Sequence, residues 1–543
     1  MLNYIWLALI VLGIGAALTT DLVNESQNKF RNDEALPVKI YFNKPFKKDS
    51  AAEYSVKFYT SKNAFNKFYN SNIKNDLLFP ADLTVKSNSK KSAVSFEVND
   101  NSPSIWKEIA ASSGDKNEIN GNLKFSIVMN DTSAVGLLTL EKVSFVKMKD
   151  VTNSVLDYAS TAVNIALGLI GIMALWLGVM QVAEDAGLIS IIAKILKPLT
   201  TRLFPDVPSD HPAMGSMIMN ISANMLGLGN AATPFGLKAM EELDNLNPEK
   251  GTATNSMVTF LAINTAGLTL IPATAIAIRA AMGSSQPAII IGTSIFGATC
   301  ATIAGVIAAK ILEKFPIRNG DYSGFFRENK KILSILIGLI FLALILLITP
   351  IGSILHSVSG FISINTFKDL ISILSTFAIP VIILFFIAYA AYKKVHVYER
   401  FVEGAKEGFN IAVRIIPFLV AMLMAIGIFR AGGAMDWLIT ILKPVTNLIG
   451  MPAEVLPMAL MRPLSGSGSL GIMTDILKVH GTDSLIGIMA STFYGSTETT
   501  FYVLAVYFGA VNIRNTRHAV AAGLIADIAG ILGAVFIVRL LFG

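Results

Sequence analysis

Apolar residues in this chain gather into long runs, except in one segment near the N-terminus where they alternate with polar ones. Residues 4–19 (YIWLALIVLGIGAALT) are almost wholly apolar. That length is at the lower edge of a membrane span, and no positive stretch precedes it as in a signal peptide. The segment reads as an uncleaved N-terminal anchor helix within residues 1–21. Residues 22–150 are rich in Lys, Asn and Ser and alternate at 38–43 (VKIYFN), 54–60 (YSVKFYT), 93–98 (AVSFEV), 123–128 (LKFSIV) and 137–148 (LLTLEKVSFVKM). A period of two predicts half-buried strands, hence a small β-rich domain, expected to be a sandwich. After it come apolar runs near 160–182, 255–278, 286–311, 332–350, 370–392, 408–430, 484–510 and 518–542. The expected fold class is an all-α polytopic membrane protein with a small β-rich insert.

The membrane part is written twice. Asn164-Ile165-Ala166 recurs as Asn410-Ile411-Ala412, Gly187 falls on Gly433, and Ile195-Leu196-Lys197-Pro198 recurs as Ile441-Leu442-Lys443-Pro444, all at one offset. We divide it into a first repeat at 151–315, linking transmembrane helices at 316–400 and a second repeat at 401–543. Duplicated apolar units are a common plan of secondary transporters, whose site lies between the repeats; duplication for stability alone is the other reading. Basic residues accumulate on the cytoplasmic side. Three clusters stand out: Lys310, Lys314, Arg318, Arg327, Lys330 and Lys331; Lys393, Lys394, Arg400 and Lys406; Arg514 and Arg517. With all three inside, 160–182 runs inward and 408–430 outward. The repeats are then inverted, and 22–150 lies outside.

That orientation requires that the stretch after each ILKP does not cross. Residues 205–243 and 451–477 are too broken by Pro and Gly for one clean helix. Each predicts a re-entrant hairpin of two short helices, turning at Gly227-Leu228-Gly229-Asn230 and at Ser465-Gly466-Ser467-Gly468-Ser469. Non-helical backbone at membrane depth is tolerated only where protein or a water-filled cavity satisfies it, so these turns point to a site.

Composition agrees with a membrane protein: 53% hydrophobic, 15% charged, mean hydropathy +0.58. Soluble domains carry about 25% charge. The net charge of +6 reads as basic cytoplasmic loops and gives no nucleic-acid partner. The lone cysteine, Cys300, excludes an intrachain disulfide and any CxxC site and is expected to pack. The five His lack metal-ligand spacing. With no phosphate loop and no nucleophile–base constellation, we expect neither an enzyme, a cofactor nor a metal site.

Candidate chemistry collects at the hairpin turns and in the helices after them. At Ser467–Gly471 a helix is expected to begin after the Gly-Ser tip of the Ser465–Ser469 turn, and its unpaired backbone N–H groups favour an anionic or polar group; close helix packing is the alternative use of such small residues. Asn230 and Thr233 are the counterparts in the first repeat, with Pro234 expected in the first turn of its helix. Asn264 and Thr265 lie in one following apolar run; Thr497, Glu498 and Thr499 lie in the other. A carboxylate inside a span is costly and normally faces a cavity or a partner. Glu498 therefore contacts a substrate or a coupling ion (proton or sodium), or else forms a structural pair with Arg462 or Arg414. Asp527 in the last span is a further candidate, and Arg462 could neutralise Glu498 or meet a substrate carboxylate.

At these residues the chain resembles the spore maturation protein A and B family. WLGVMQVAEDAGL, HPAMGSMIMNISANMLGLGNAATPFGLKAMEEL and TFLAINTAGLTLIPATAIAIR are similar to the A type. FVEGAKEGFNIAVRIIPFLVAMLMAIGIFRAGGAMD, LPMALMRPLSGSGSLGIMTDILKVHG and ASTFYGSTETTFYVLAVYFGAV are similar to the B type. The chain thus resembles a fusion of the two, whereas the insert at 22–150 departs from the pattern. The family belongs with the nucleoside recognition, or gate, domains also found in concentrative nucleoside transporters and ferrous-iron transporter B. The resemblance implies a multi-pass protein of the bacterial inner membrane. The function expected is secondary transport of a small polar solute, nucleoside-like or zwitterionic like an amino acid. A membrane scaffold in spore or envelope maturation and a lipid-intermediate flippase are the alternatives. Expected partners are membrane lipids, the solute and a cell-envelope protein at the outer domain, with homo-oligomerisation left open.

Overall fold

A computed structural model describes residues 2–46, 52–85, 92–113, 117–130, 132–227, 229–314 and 364–543. The expected run at 332–350 lies outside them. The chain divides into one unit formed by Ala8–Leu156 with Gly427–Met435, and a second formed by Met1–Leu7, Asp157–Ile426 and Asp436–Gly543.

The apolar N-terminal run forms α1 (Leu2–Ser26), longer than the sequence pattern suggested, and belongs to the first unit from Ala8 onward. Six antiparallel strands follow: β1 (Leu36–Phe42), β2 (Ala52–Thr60), β3 (Leu77–Val85), β4 (Ser92–Glu97), β5 (Glu118–Asn130) and β6 (Ser133–Leu140). They form a closed barrel in strand order, with β6 returning to pair with β1 through Ile40 and Ala134. This corrects the expected sandwich: closure leaves no free sheet edge. Alternation holds in β1, where Leu36, Val38, Ile40 and Phe42 point inward. Two helices, α2 (Lys62–Tyr69) and α3 (Ser104–Ser113), bring Phe65 and Trp106 into the same core. β3 escaped the sequence reading because Pro80 interrupts its pattern, and a Pro argues against a strand. The expected strand at 137–148 ends at Leu140, and α4 (Val146–Asp185) starts where its second half was placed. Buried Asp21 fastens that start, accepting from the backbone N–H groups of Lys147 and Met148, each at 2.9 Å.

The second unit is helical. From the first repeat it takes most of α4, then α5 (Leu188–Leu203), α6 (Pro212–Met225), α7 (Gly229–Asn245), α8 (Asn255–Ala266), α9 (Ala273–Ala281) and α10 (Ile290–Leu312). The later described helices are α11 (Ile364–Tyr392), α12 (Val397–Ala431), α13 (Ala434–Leu448), α14 (Leu456–Met461), α15 (Gly466–His480), α16 (Leu485–Ser496), α17 (Thr500–Ala510) and α18 (Ala519–Phe542). Among the described residues five helices are long and apolar enough to cross a membrane: Asn3–Ser26, Val146–Asp185, Pro287–Leu312, Val397–Ala431 and Ala519–Phe542.

Two apolar runs expected as single spans are each two helices. The first breaks between Ala266 and Ala273, where Gly267 takes a left-handed φ of +58° and Pro272 caps α9. The second breaks at Thr497–Thr499, where extended backbone separates α16 from α17. Both repeats meet in one apolar core, in which Met217, Met240 and Phe260 join Leu504, Tyr507 and Phe508. Small residues bring α18 against α8 and α10: Ala266, Ala301 and Ala526 form a buried cluster. A Cβ on Gly533 would lie 2.9 Å from Cys300 Sγ, so the lone cysteine packs there.

Candidate functional site

Each segment folds as two successive helices, α6 and α7 on either side of the described turn residues 226–227, and α14 and α15 on either side of 462–465. Ser465 is the N-cap of α15: its hydroxyl accepts from Gly468 N–H at 3.0 Å, so Gly466–Ser469 form the helix's first turn. Ser467 Oγ lies 3.3 Å from Ser465 Oγ, and Ser469 donates to Ser465 O at 2.7 Å. This turn reaches the interrupted helix, because a Cβ on Gly466 would lie 3.1 Å from Thr499 Oγ1.

The two helix breaks touch. Glu498 N–H donates to Thr265 C=O at 2.8 Å. A Cβ on Gly267 would come 2.6 Å from Glu498 Cγ. Buried Arg462, just past α14, braces the second break. It donates to Thr497 C=O and, at 3.3 Å, to Thr499 Oγ1, and lies 3.7 Å from Glu498 Oε2. The Tyr494 ring sits 4.6 Å from its guanidinium carbon. The Glu498 side chain stays 52% exposed beside buried Thr497, Thr499 and Thr500. It therefore faces open space and is paired with Arg462 at the same time. Arg414 is exposed on α12.

The first repeat contributes an amide cluster. Asn264 Oδ1 accepts from Asn224 Nδ2 at 2.9 Å and from the Tyr507 hydroxyl at 3.3 Å, while Asn264 Nδ2 donates to Phe260 O. Asn220 Nδ2 donates to Tyr507 Oη and to Ala232 O. Thr265 Oγ1 is turned back onto Ala262 O. Thr233 lies half-buried in α7, and Asn230 is that helix's second residue, its side chain outside the described set. Pro234 is not in the first turn as expected: α7 already begins at Gly229. Asp527, 1% exposed in α18, accepts from Thr500 Oγ1 at 2.5 Å.

Several polar partners escaped the sequence reading. Asn220, Asn224 and Tyr507 sit singly in apolar helices and carry no local motif. Arg279 is fully buried yet donates to the carbonyls of Pro287, Thr482 and Gln286, to Ser284 Oγ, and to Asp483 at 2.9 Å. Its one signal was an arginine inside ATAIAIRAA. Burial would raise the Asp483 pKa, but donors from Ser284 and Ser285 and the Arg279 charge outweigh it, and the carboxylate ends below its ordinary value. Asp475, fully buried in α15, accepts from the Tyr158 hydroxyl at 2.5 Å.

A pocket of about 370 Å³ lies elsewhere, lined by Asp206, Leu243, Glu249, Asn255 and Arg517 among others. Arg517 is committed to Ala253 O and Asn255 Oδ1. None of the candidate residues lines it.

The family model described as nucleoside recognition, Gate, matches residues 166–285 and again 412–514. Spore maturation protein B of Bacillus subtilis (strain 168) is 52% identical over 175 residues, covering 32% of this chain and 98% of that protein. Spore maturation protein A of the same organism is 45% identical over 184 residues, 34% of this chain and 88% of that protein. Inner membrane protein YjiG of Escherichia coli (strain K12) is 30% identical over 82 residues, 15% of this chain and 54% of that protein. No solved structure matches the chain.

Proposed function

We propose, from the premise that this chain belongs to the nucleoside recognition (gate) family as a membrane protein joining a spore maturation protein A-like to a B-like unit, that it is a secondary transporter of a small polar solute. In this reading the repeats are inverted and α6–α7 and α14–α15 are re-entrant hairpins. The solute sits near the bilayer midplane where the two helix breaks meet, and the barrel lies outside the cell. Thr497, Glu498, Asn264 and the Ser465–Ser469 turn line the site, with Asn230 and Thr233 approaching from the first repeat.

One observation carries the reading. Glu498 presents an open carboxylate at the junction of two interrupted apolar helices, its side chain paired with Arg462 and its backbone N–H bonded to Thr265 O. An ionisable group at such depth is expensive and is retained where it meets a cavity or a solute. A nucleoside offers hydroxyls and a zwitterionic amino acid an amine to that carboxylate; the latter's carboxylate suits the N–H groups opening α15. A scaffold has no need of this arrangement.

Reconstituted protein tested against panels of nucleosides and amino acids is expected to take up one of these classes. Glu498→Gln is expected to abolish or uncouple that uptake while leaving expression and thermal unfolding near wild type. A folded Gln variant that transports normally refutes the site. A variant that does not fold makes Glu498 a structural partner of Arg462.

A further inference from the structure

The charges around the second helix break, buried Arg462 and Asp527 and half-open Glu498, do not balance. Arg462 supplies one positive charge; Glu498, 3.7 Å from it, and Asp527 supply two negative ones. Among the described residues Arg462 forms its ion pair with Glu498, and its bonds go to Thr497 and Thr499. Asp527 is left with one neutral donor, the Thr500 hydroxyl on Oδ2. Its Oδ1 is buried and has no hydrogen-bond partner among the described residues. A charge held this way in an apolar interior requires a counter-charge or a proton.

The surroundings supply oxygens. Gly523 and Gly530 lie one turn before and one turn after Asp527, on the same face of α18. A Cβ on Gly523 would lie 2.7 Å from Thr500 Cγ2 and 3.5 Å from Thr265 Oγ1. One on Gly530 would lie 2.6 Å from Thr497 Cγ2 and 3.5 Å from Ser496 C=O. The face carrying Asp527 is thus pressed onto the end of α16 and the start of α17. The carbonyls that end a helix lack intrahelical partners and carry its negative pole. Thr497 is 2% exposed, and its buried Oγ1 also has no partner among the described residues. A buried carboxylate with one partnerless oxygen, the partnerless Thr497 hydroxyl, the Thr500 hydroxyl and a helix C-terminus are the donor set of a hard monovalent cation, of the kind that discontinuous membrane helices coordinate. A divalent ion would overshoot the single uncompensated charge.

We propose that Asp527, with Thr497, Thr500 and the C-terminal carbonyls of α16, binds a sodium-like monovalent cation, which serves as the coupling ion. The coupling role rests on the transporter reading above; the binding does not. The test uses the full chain in nanodiscs, unfolded thermally in sodium chloride and in choline chloride of equal ionic strength. Wild type is expected to melt higher in sodium, and Asp527→Asn is expected to lose that difference. Should Asp527→Asn fail to fold, Thr500→Val serves, with a sodium affinity expected to fall about 10–100-fold, as for an orienting partner of a ligand. Equal melting in both salts for wild type overturns the proposal, as does a sodium effect that survives in Asp527→Asn or is unchanged in Thr500→Val. A protonated-carboxyl infrared band of Asp527 that persists in saturating sodium also overturns it, assigning the position to a proton. If the sodium effect is present and no solute is taken up, the cation site stands and the transporter reading falls.

Discussion

Replacing Gly267 by Ala tests whether the two helix breaks are fitted against one another. Gly267 ends α8 at a φ of +58°, a left-handed conformation costing an L-residue about 1–2 kcal/mol. The new Cβ would lie 2.6 Å from Glu498 Cγ, 3.1 Å from Glu498 Cβ and 3.1 Å from Glu498 N. The Cγ belongs to a half-open side chain that can swing. The backbone N cannot move freely, because it donates to Thr265 O at 2.8 Å. Overpacking of this kind costs about 1–3 kcal/mol, giving about 2–5 kcal/mol in total. Gly251→Ala isolates the conformational part: its φ is +82° and a Cβ there meets nothing within 4 Å. Denaturant titration in mixed micelles, followed by Trp fluorescence, should rank Gly267→Ala below Gly251→Ala by about 1–3 kcal/mol. Adding Glu498→Ala should return part of that difference, since pairs in contact couple by about 0.5–3 kcal/mol. Equal costs at the two glycines, or strict additivity with Glu498→Ala, would refute the fitted junction.

Further outcomes follow from the same geometry. Arg279→Ala takes the donor from three carbonyls and the counter-charge from Asp483, which keeps its Ser284 and Ser285 donors, and is expected to destabilise by about 3 kcal/mol, the lower end for a broken buried pair; Asp483→Asn, at a half-open site, should cost less. The folded pKa of Asp483 is depressed. Its contribution is therefore present above the unfolded value of about 3.9 and lost as pH falls through the lower folded value; a wild-type minus Asp483→Asn stability difference that grows on acidification would contradict this. Asp21→Ala leaves two part-buried N–H groups at the start of α4 without their acceptor and should cost about 1–3 kcal/mol, read as a lowered melting midpoint, with Asp21→Asn intermediate. In a Cys300→Ala background, impermeant thiol reagents should label Pro248→Cys and Lys478→Cys from opposite faces of the membrane; labelling from one face excludes inverted hairpins.

The sequence alone determined what depends on local pattern. Apolar run length marked α1, α4, α10 and α18, and alternation marked β1, β2, β4 and β5. Recurrence of NIA and ILKP marked the repeat, and Pro–Gly density marked both helix–turn–helix hairpins. Each of these encodes burial or backbone freedom within a few residues, so it can be read along the chain. Pairing between distant residues cannot. The barrel closes because Ile40 meets Ala134, a register that no alternation in either strand specifies. The Thr497–Thr499 break has no proline to announce it; its extended backbone is held by Arg462 and Thr265, both remote in sequence. Arg279 reads locally as a misplaced charge and becomes intelligible only with Asp483 and the carbonyls around it. Glu498 and Asp527 look alike in sequence, as acids in apolar helices. Tertiary packing alone separates them, opening Glu498 to space beside Arg462 and sealing Asp527 against Thr500, because the electrostatic character of a carboxylate is set by what the fold brings to it.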